Sequence, residues 1–174
     1  MVSEGIKDIS VLLTAPSKAF NLQGLTHGIG IIPNRKLREQ YERTLVGYDF
    51  DFATNVFSMT ALQSAYNEGE PWLKELTAYL QANLDYLCGF VKSRMPGAEI
   101  FRPEGSYMVW MDFRGLNLSS EQLQEKIGKE AKVQLTWGET FGEDGKGFER
   151  INIACHRSTL EEALERICEV LYSE

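Results

Sequence analysis

Long apolar runs, basic clusters, paired cysteines and grouped histidines are all scarce in this chain, and each shortage removes a class of function. No stretch approaches the ~20 apolar residues that a membrane-crossing helix requires, so no membrane partner is expected. The start, Met1-Val2-Ser3-Glu4-Gly5, has neither the basic flank nor the apolar stretch of a secretory leader, and cytoplasmic residence is the expectation. Lys and Arg number 18 against 25 Asp and Glu, for a net charge of -7, and no basic block stands out. Nucleic-acid binding, which needs a clustered basic face to neutralise phosphates, is therefore not expected. Cys88, Cys155 and Cys168 are odd in number and form no C-x-x-C pair, which argues against a disulfide framework and against zinc. His27 and His156, the two histidines, lie far apart and read as loop or surface residues rather than metal ligands.

What remains is an ordinary globular composition. Hydrophobic residues make up 43% and charged residues 25% of 174 positions, enough for one domain or for a large piece of a bigger enzyme. Ile9 to Thr14 reads as a short buried strand, ended by Ala15-Pro16-Ser17. A glycine-dotted segment leads to a second strand over Ile29 to Ile32, and Asn34 is placed to cap a helix from Arg35 to Leu45. Asn55 to Asn67 reads as a helix. A long helix follows from Glu70, with Leu73, Leu76, Leu80, Leu84, Leu87 and Val91 in one stripe, until Pro96-Gly97 ends it.

A second region starts near Ala98. Ser106 to Phe113, Val133 to Leu135 and Phe148 to Ala154 read as strands. Ser119 with Gln122 forms a capping-box pattern before a helix to about Lys129, and Ser158 with Glu161 repeats it before a last helix that buries Leu160, Leu164, Ile167 and Leu171. The fold class is α/β in two parts. The first part, two strands with several helices, is a thin sheet with exposed edges and reads like the tail of a larger one.

The most informative stretch is Thr14-Ala15-Pro16-Ser17-Lys18-Ala19-Phe20-Asn21-Leu22-Gln23-Gly24-Leu25. Lys18 follows a strand and sits among Phe20, Leu22 and Leu25. A semi-buried lysine lowers its pKa by desolvation and so supplies the neutral amine that carbonyl chemistry needs. The loop at a strand end is also where α/β sheets place ligands. Spacing alone still fits a solvated loop lysine better than a reactive one. Arg150, on a strand with Ile151 and Ile153, points to the opposite face together with Asn152, where a guanidinium could grip a carboxylate through two parallel hydrogen bonds. Taken alone it also fits an ordinary surface arginine. Tyr107 and Trp110 read as core aromatics, with a pocket role as the alternative. Asp112 reads as a solvated or paired carboxylate.

Ser17-Lys18-x-Phe20-Asn21-Leu22-x-Gly24-Leu25 resembles the pyridoxal-phosphate (PLP) lysine signature of the class I/II aminotransferase superfamily, fold-type I. The resemblance runs through Asn55-Val56-Phe57, Gly69-Glu70-Pro71-Trp72-Leu73, Pro103-Glu104-Gly105-Ser106-Tyr107, Gly138-Glu139-Thr140-Phe141-Gly142 and Arg150-Ile151-Asn152-Ile153-Ala154-Cys155. It implies the C-terminal part of the PLP-transferase large domain over 1–68, a connecting helix over 69–97 and the small α/β C-terminal domain over 98–174. It also implies PLP as cofactor, with Lys18 carrying it covalently and moving the substrate Cα proton, and Arg150 holding the α-carboxylate of an amino-acid substrate. Ser17 would donate to the cofactor phosphate, though a turn serine bonding its own backbone fits equally. Ala15 departs from relatives that carry a hydroxyl residue there. A homodimer is implied for the intact enzyme.

Thr26 stands eight residues after Lys18, where many of these aminotransferases have a phosphate-binding arginine. Threonine resembles the cystathionine β-lyase-like carbon–sulfur lyase branch, as do Phe20 to Leu25, Ile31-Ile32-Pro33-Asn34 and Arg150 to Arg157. His156 departs from that branch, where proline is usual, with little effect expected. The resemblance thus implies a β-lyase, with an aminotransferase and a non-catalytic folding or dimerisation module as the alternatives. Only 17 residues precede Lys18. The upstream aspartate, stacking aromatic and phosphate loop of the family are not among them, so the chain alone is expected to be inactive.

Overall fold

The structure is a computed structural model that describes residues 4–49 and 55–172. The start read for a leader is therefore described only from Glu4 onward. The chain divides into two units, Met1–Glu75 and Leu76–Glu174. No helix among the described residues is long and apolar enough to cross a membrane.

In the first unit a helical turn α1 (Glu4–Lys7) precedes β1 (Leu12–Thr14), which pairs antiparallel with β2 (Ile29–Ile31) in the register Leu12↔Ile31, Leu13↔Gly30, Thr14↔Ile29. Helix α2 (Arg35–Gly47) starts where Asn34 accepts from the backbone N–H of Lys36 and Leu37, at 2.9 and 3.3 Å. Asn55 caps α3 (Val56–Glu68) in the same way, accepting from Ser58 N at 2.8 Å. Both caps satisfy amides that have no carbonyl partner within the helix.

The strand expected to be buried at Ile9 to Thr14 is shorter and exposed. Leu12 is 49% and Leu13 65% accessible. A short apolar run sets the strand, but burial needs a layer on its faces, and a two-stranded ribbon by itself supplies none.

Helix α4 (Glu70–Arg94) contains the boundary between the units. In the second unit its apolar stripe passes from half-buried Leu80 to buried Leu84, Leu87 and Val91. These side chains pack with one face of a four-stranded antiparallel sheet, order β3-β4-β6-β5, built from β3 (Glu99–Phe101), β4 (Met108–Asp112), β5 (Thr136–Trp137) and β6 (Phe148–Asn152). Val109 and Met111 from β4 and Ile151 from β6 enter the same core, and α6 (Arg157–Tyr172) contributes Leu160, Leu164 and Ile167, while Leu171 is only half-buried.

Ser119 forms a complete capping box with Gln122 ahead of α5 (Ser120–Gln124), which continues as a π-helical stretch over Glu125–Glu130. The wider turn shows in the bond from Ala131 N to Lys126 O, 2.8 Å. Val133 to Leu135 is not a strand. Val133 N closes the helix end on Ile127 O at 3.0 Å, and the strand begins only at Thr136. The apolar residues there reflect burial, with Leu135 6% accessible, rather than sheet pairing. Ser158 is likewise not a cap. Helix α6 begins at Arg157, and His156 O accepts from Thr159 N and Leu160 N, so His156 holds the cap position. The hydroxyl of Ser158 instead lies 2.8 Å from His156 Nδ1.

A buried polar network fixes the segment before α6. Asn83, fully buried, donates through Nδ2 to Ile153 O (2.9 Å) and Cys155 O (3.1 Å) and accepts from Arg157 Nε (2.9 Å). Arg157 also lies over the Tyr86 ring at 4.7 Å, so its contacts are with the fold.

Candidate functional site

Lys18 lies in a tight turn that leaves β1. Phe20 N donates to Pro16 O and Leu22 N to Ser17 O, each at 2.9 Å, and Asn21 takes the left-handed conformation with φ 54° that this closure needs. Asparagine tolerates that conformation better than most residues do. Phe20 faces the aromatics of α3 and α4. It stacks on Trp72 with centroids 6.1 Å apart and meets Tyr66 edge-on at 6.1 Å. The turn is thereby fastened to the start of α4. A Cβ at Gly69 would come within 2.6 Å of Phe20 Cε1 and 2.4 Å of Ala65 O, so the junction of α3 and α4 needs glycine there.

Ser17 is half-buried and Lys18 is exposed. The semi-buried lysine expected from the sequence is therefore corrected. Phe20 faces the aromatics of α3 and α4, and the flanking strand β1 is exposed, so among the described residues of this unit nothing screens the amine from water. Thr26 and Ala15 are exposed as well. His27 bonds Leu25 O through Nδ1 and is half-buried. No group of three or more metal-ligating side chains occurs among the described residues.

Arg150 belongs to the second unit. It sits on β6 directly across the ladder from Trp110 of β4 and Thr136 of β5. Its guanidinium carbon lies 4.6 Å from the centroid of Phe141. Trp110 meets Phe141 edge-on at 5.2 Å and Phe148 at 6.2 Å. Trp110 is thus no core aromatic. It stands on the outer face beside Arg150, whereas Tyr107 packs against the core as expected.

Three other arginines lie over aromatic rings: Arg94 over Phe90, Arg114 over Phe148 and Arg157 over Tyr86. Each also has a polar partner, respectively Glu165, Asp112 and Asn83. Arg150 has none among the described residues, and its Nε is buried without an acceptor. Asp112 is the paired carboxylate the sequence suggested. The hydrogen bonds from the Arg114 guanidinium hold its carboxyl below the usual value, against the opposing effect of burial.

Two residues escaped the sequence reading. Phe141 was visible only as part of a matching block. Glu149, also on β6, faces the core between Met111 and Trp137, is 2% accessible, and has Oε2 without a partner. Burial, helped by the nearby charge of Glu139, pushes its carboxyl up to about 8. A glutamate at the inward phase of β6, two residues before the buried Ile151, was the available signal.

Comparison with known proteins gives a consistent result. Residues 2–167 match the family described as aminotransferase class I and II. Cystathionine beta-lyase PatB of Bacillus subtilis is 37% identical over 166 residues, covering 95% of this chain and 43% of PatB. Protein MalY of Escherichia coli is 39% identical over 153 residues, covering 88% of this chain and 39% of MalY. The crystal structure of cystalysin from Treponema denticola, which contains a pyridoxal 5'-phosphate cofactor, superposes with a TM-score of 0.89 at 29% identity, covering 98% of this chain and 43% of cystalysin. The chain spans less than half the length of these relatives, and its α/β fold matches their C-terminal portion.

Proposed function

The chain belongs to the class I and II aminotransferase family, and from that premise we propose that the protein carrying it is a PLP-dependent carbon–sulfur β-lyase of the cystathionine β-lyase type. The observation that carries this reading is the identity with PatB across nearly the whole chain. On the same reading, 1–68 belongs to the cofactor-binding large domain, 69–97 is the connecting helix and 98–174 is the small domain. A homodimer is the expected assembly of the intact enzyme.

The residues present fit the cofactor in kind. Lys18 offers an exposed primary amine in a turn held by backbone bonds and by Phe20, and Ser17 beside it offers a hydroxyl to a phosphate. PLP, when bound, supplies an electron-accepting ring conjugated to the substrate nitrogen. Lys18 would hold the cofactor through its amine and, once that amine is free, would take the proton from the substrate Cα as general base. Arg150 would orient the substrate by its α-carboxylate, and with no polar partner among the described residues it is free to do so.

The balanced outcome for cystathionine is addition of one water and release of homocysteine, pyruvate and ammonia. The test is to load the protein carrying this chain with PLP, supply L-cystathionine, and assay pyruvate and free thiol. Release of both in equal amounts supports the lyase. A keto acid retaining the sulfur substituent, with no thiol released, would instead select the transaminase alternative.

A further inference from the structure

We infer that Phe141 is a positioning residue for Arg150, seating its guanidinium so that the Nη1/Nη2 edge, and not the Nε edge, is presented to a carboxylate. This rests on the proposed role of Arg150 and adds to it how the side chain is held and from which side a ligand reaches it.

Four observations converge. The guanidinium carbon of Arg150 lies over the Phe141 ring, 4.6 Å from its centroid, a distance at which a cation is attracted to the ring quadrupole. Phe141 is itself fixed, because Trp110 meets it edge-on at 5.2 Å and 78°, and Trp110 is held in turn against Phe148. The segment carrying Phe141 is pinned at both ends. Gly138 and Gly145 approach so closely that a Cβ on Gly138 would lie 2.2 Å from Gly145 O, and Thr140 Oγ1 donates to Trp137 O at 2.7 Å. Finally, Nε of Arg150 is buried without an acceptor, so that edge is closed to a ligand.

The contrast with the other ring-stacked arginines gives this arrangement its meaning. In Arg94, Arg114 and Arg157 a carboxylate or amide sets the orientation of the guanidinium. At Arg150 the aromatic face is the orienting contact among the described residues, and the acceptor position is left open. Phe141, at 55% accessible, contributes little to the core, so its place over Arg150 is not explained by packing. A planar ion held over a ring and closed at its Nε edge offers two parallel N–H donors at the other edge, which matches the two oxygens of a carboxylate.

The experiment is nitrogen-15 NMR of the arginine side chains in the 174-residue chain, with the Arg150 signals assigned by loss in Arg150→Lys. Phe141→Leu removes the ring, and Phe141→Tyr keeps it. The wild type and Phe141→Tyr should show a slowly exchanging Arg150 Nε–H, and Phe141→Leu should speed that exchange at least roughly tenfold while the remaining spectrum is unchanged. Equal exchange in all three overturns the seating. Acetate then serves as the carboxylate probe: shifts at the Arg150 Nη protons support the proposed edge, and shifts confined to Nε–H overturn it. Retained seating with no response to acetate at any Arg150 proton would refute the carboxylate role proposed for Arg150 while leaving the positioning by Phe141 standing.

Discussion

Replacing Glu149 by glutamine should remove a pH dependence that the buried carboxyl imposes on stability. Glu149 faces the core of the second unit, is 2% accessible and has Oε2 without a partner. Its carboxyl is pushed from the ordinary 4.5 up to about 8, mainly by burial and further by Glu139. A folded-state value above the unfolded one means that the native protein holds a proton the unfolded chain releases. The associated stability is complete below pH 4.5 and is lost as pH rises through about 8. At about 1.4 kcal/mol per pH unit, the loss amounts to about 4–5 kcal/mol by pH 9, an upper figure because relaxation around the ionised group reduces it. Urea unfolding of wild type and Glu149→Gln from pH 5 to pH 9 measures this directly. The two should agree within about 1 kcal/mol at pH 5, and the variant should be the more stable by several kcal/mol at pH 9. Parallel curves over the whole range would refute the reasoning.

Asn83→Ala should cost about 2–4 kcal/mol in the same assay, because it strands the buried carbonyl of Ile153, leaves that of Cys155 with the Tyr79 hydroxyl alone and takes the acceptor from Arg157 Nε. Ser119→Ala removes one half of the capping box and should cost about 1 kcal/mol. Gly69→Ala forces a Cβ against Phe20 and Ala65 O, and should abolish the Phe20–Trp72 stack, seen as a change in near-ultraviolet circular dichroism, with a loss of about 1–3 kcal/mol.

Much of the fold was legible because local chemistry and tertiary structure agree. Asn34 and Asn55 both stand at helix starts, the latter as the first residue of the helix read from the sequence. The stripe from Leu73 to Val91 lies on one long helix, and Ser119 with Gln122 makes the box its spacing implies. Where the reading failed, a long-range contact or its lack decided. Leu12 and Leu13 have strand character, yet burial depends on a covering layer that spacing does not encode. Val133 lost its strand to a helix-closing bond with Ile127, and Ser158 lost its cap to His156 two residues earlier. β3 was not anticipated, since its three residues Glu99–Phe101 are too few to show a period.

The candidate site divides in the same way. Lys18, Ser17 and Arg150 stand in segments whose wording carries the family, and the comparisons show that family. The exposure of Lys18, the place of Trp110 on the outer face and the contact of Phe141 with Arg150 depend on side-chain directions across a sheet and a turn. Phe141 lies nine residues from Arg150 in sequence, in a loop without period, so no pattern announces the pair.

The most direct test is to incubate the protein carrying this chain with PLP, reduce with borohydride and map the modified lysine by mass spectrometry, with Lys18→Ala as control. A single adduct at Lys18 that is absent from the control is the expected result. Labelling scattered over many lysines, or none at Lys18, would contradict the assignment of this residue as the one that carries the cofactor.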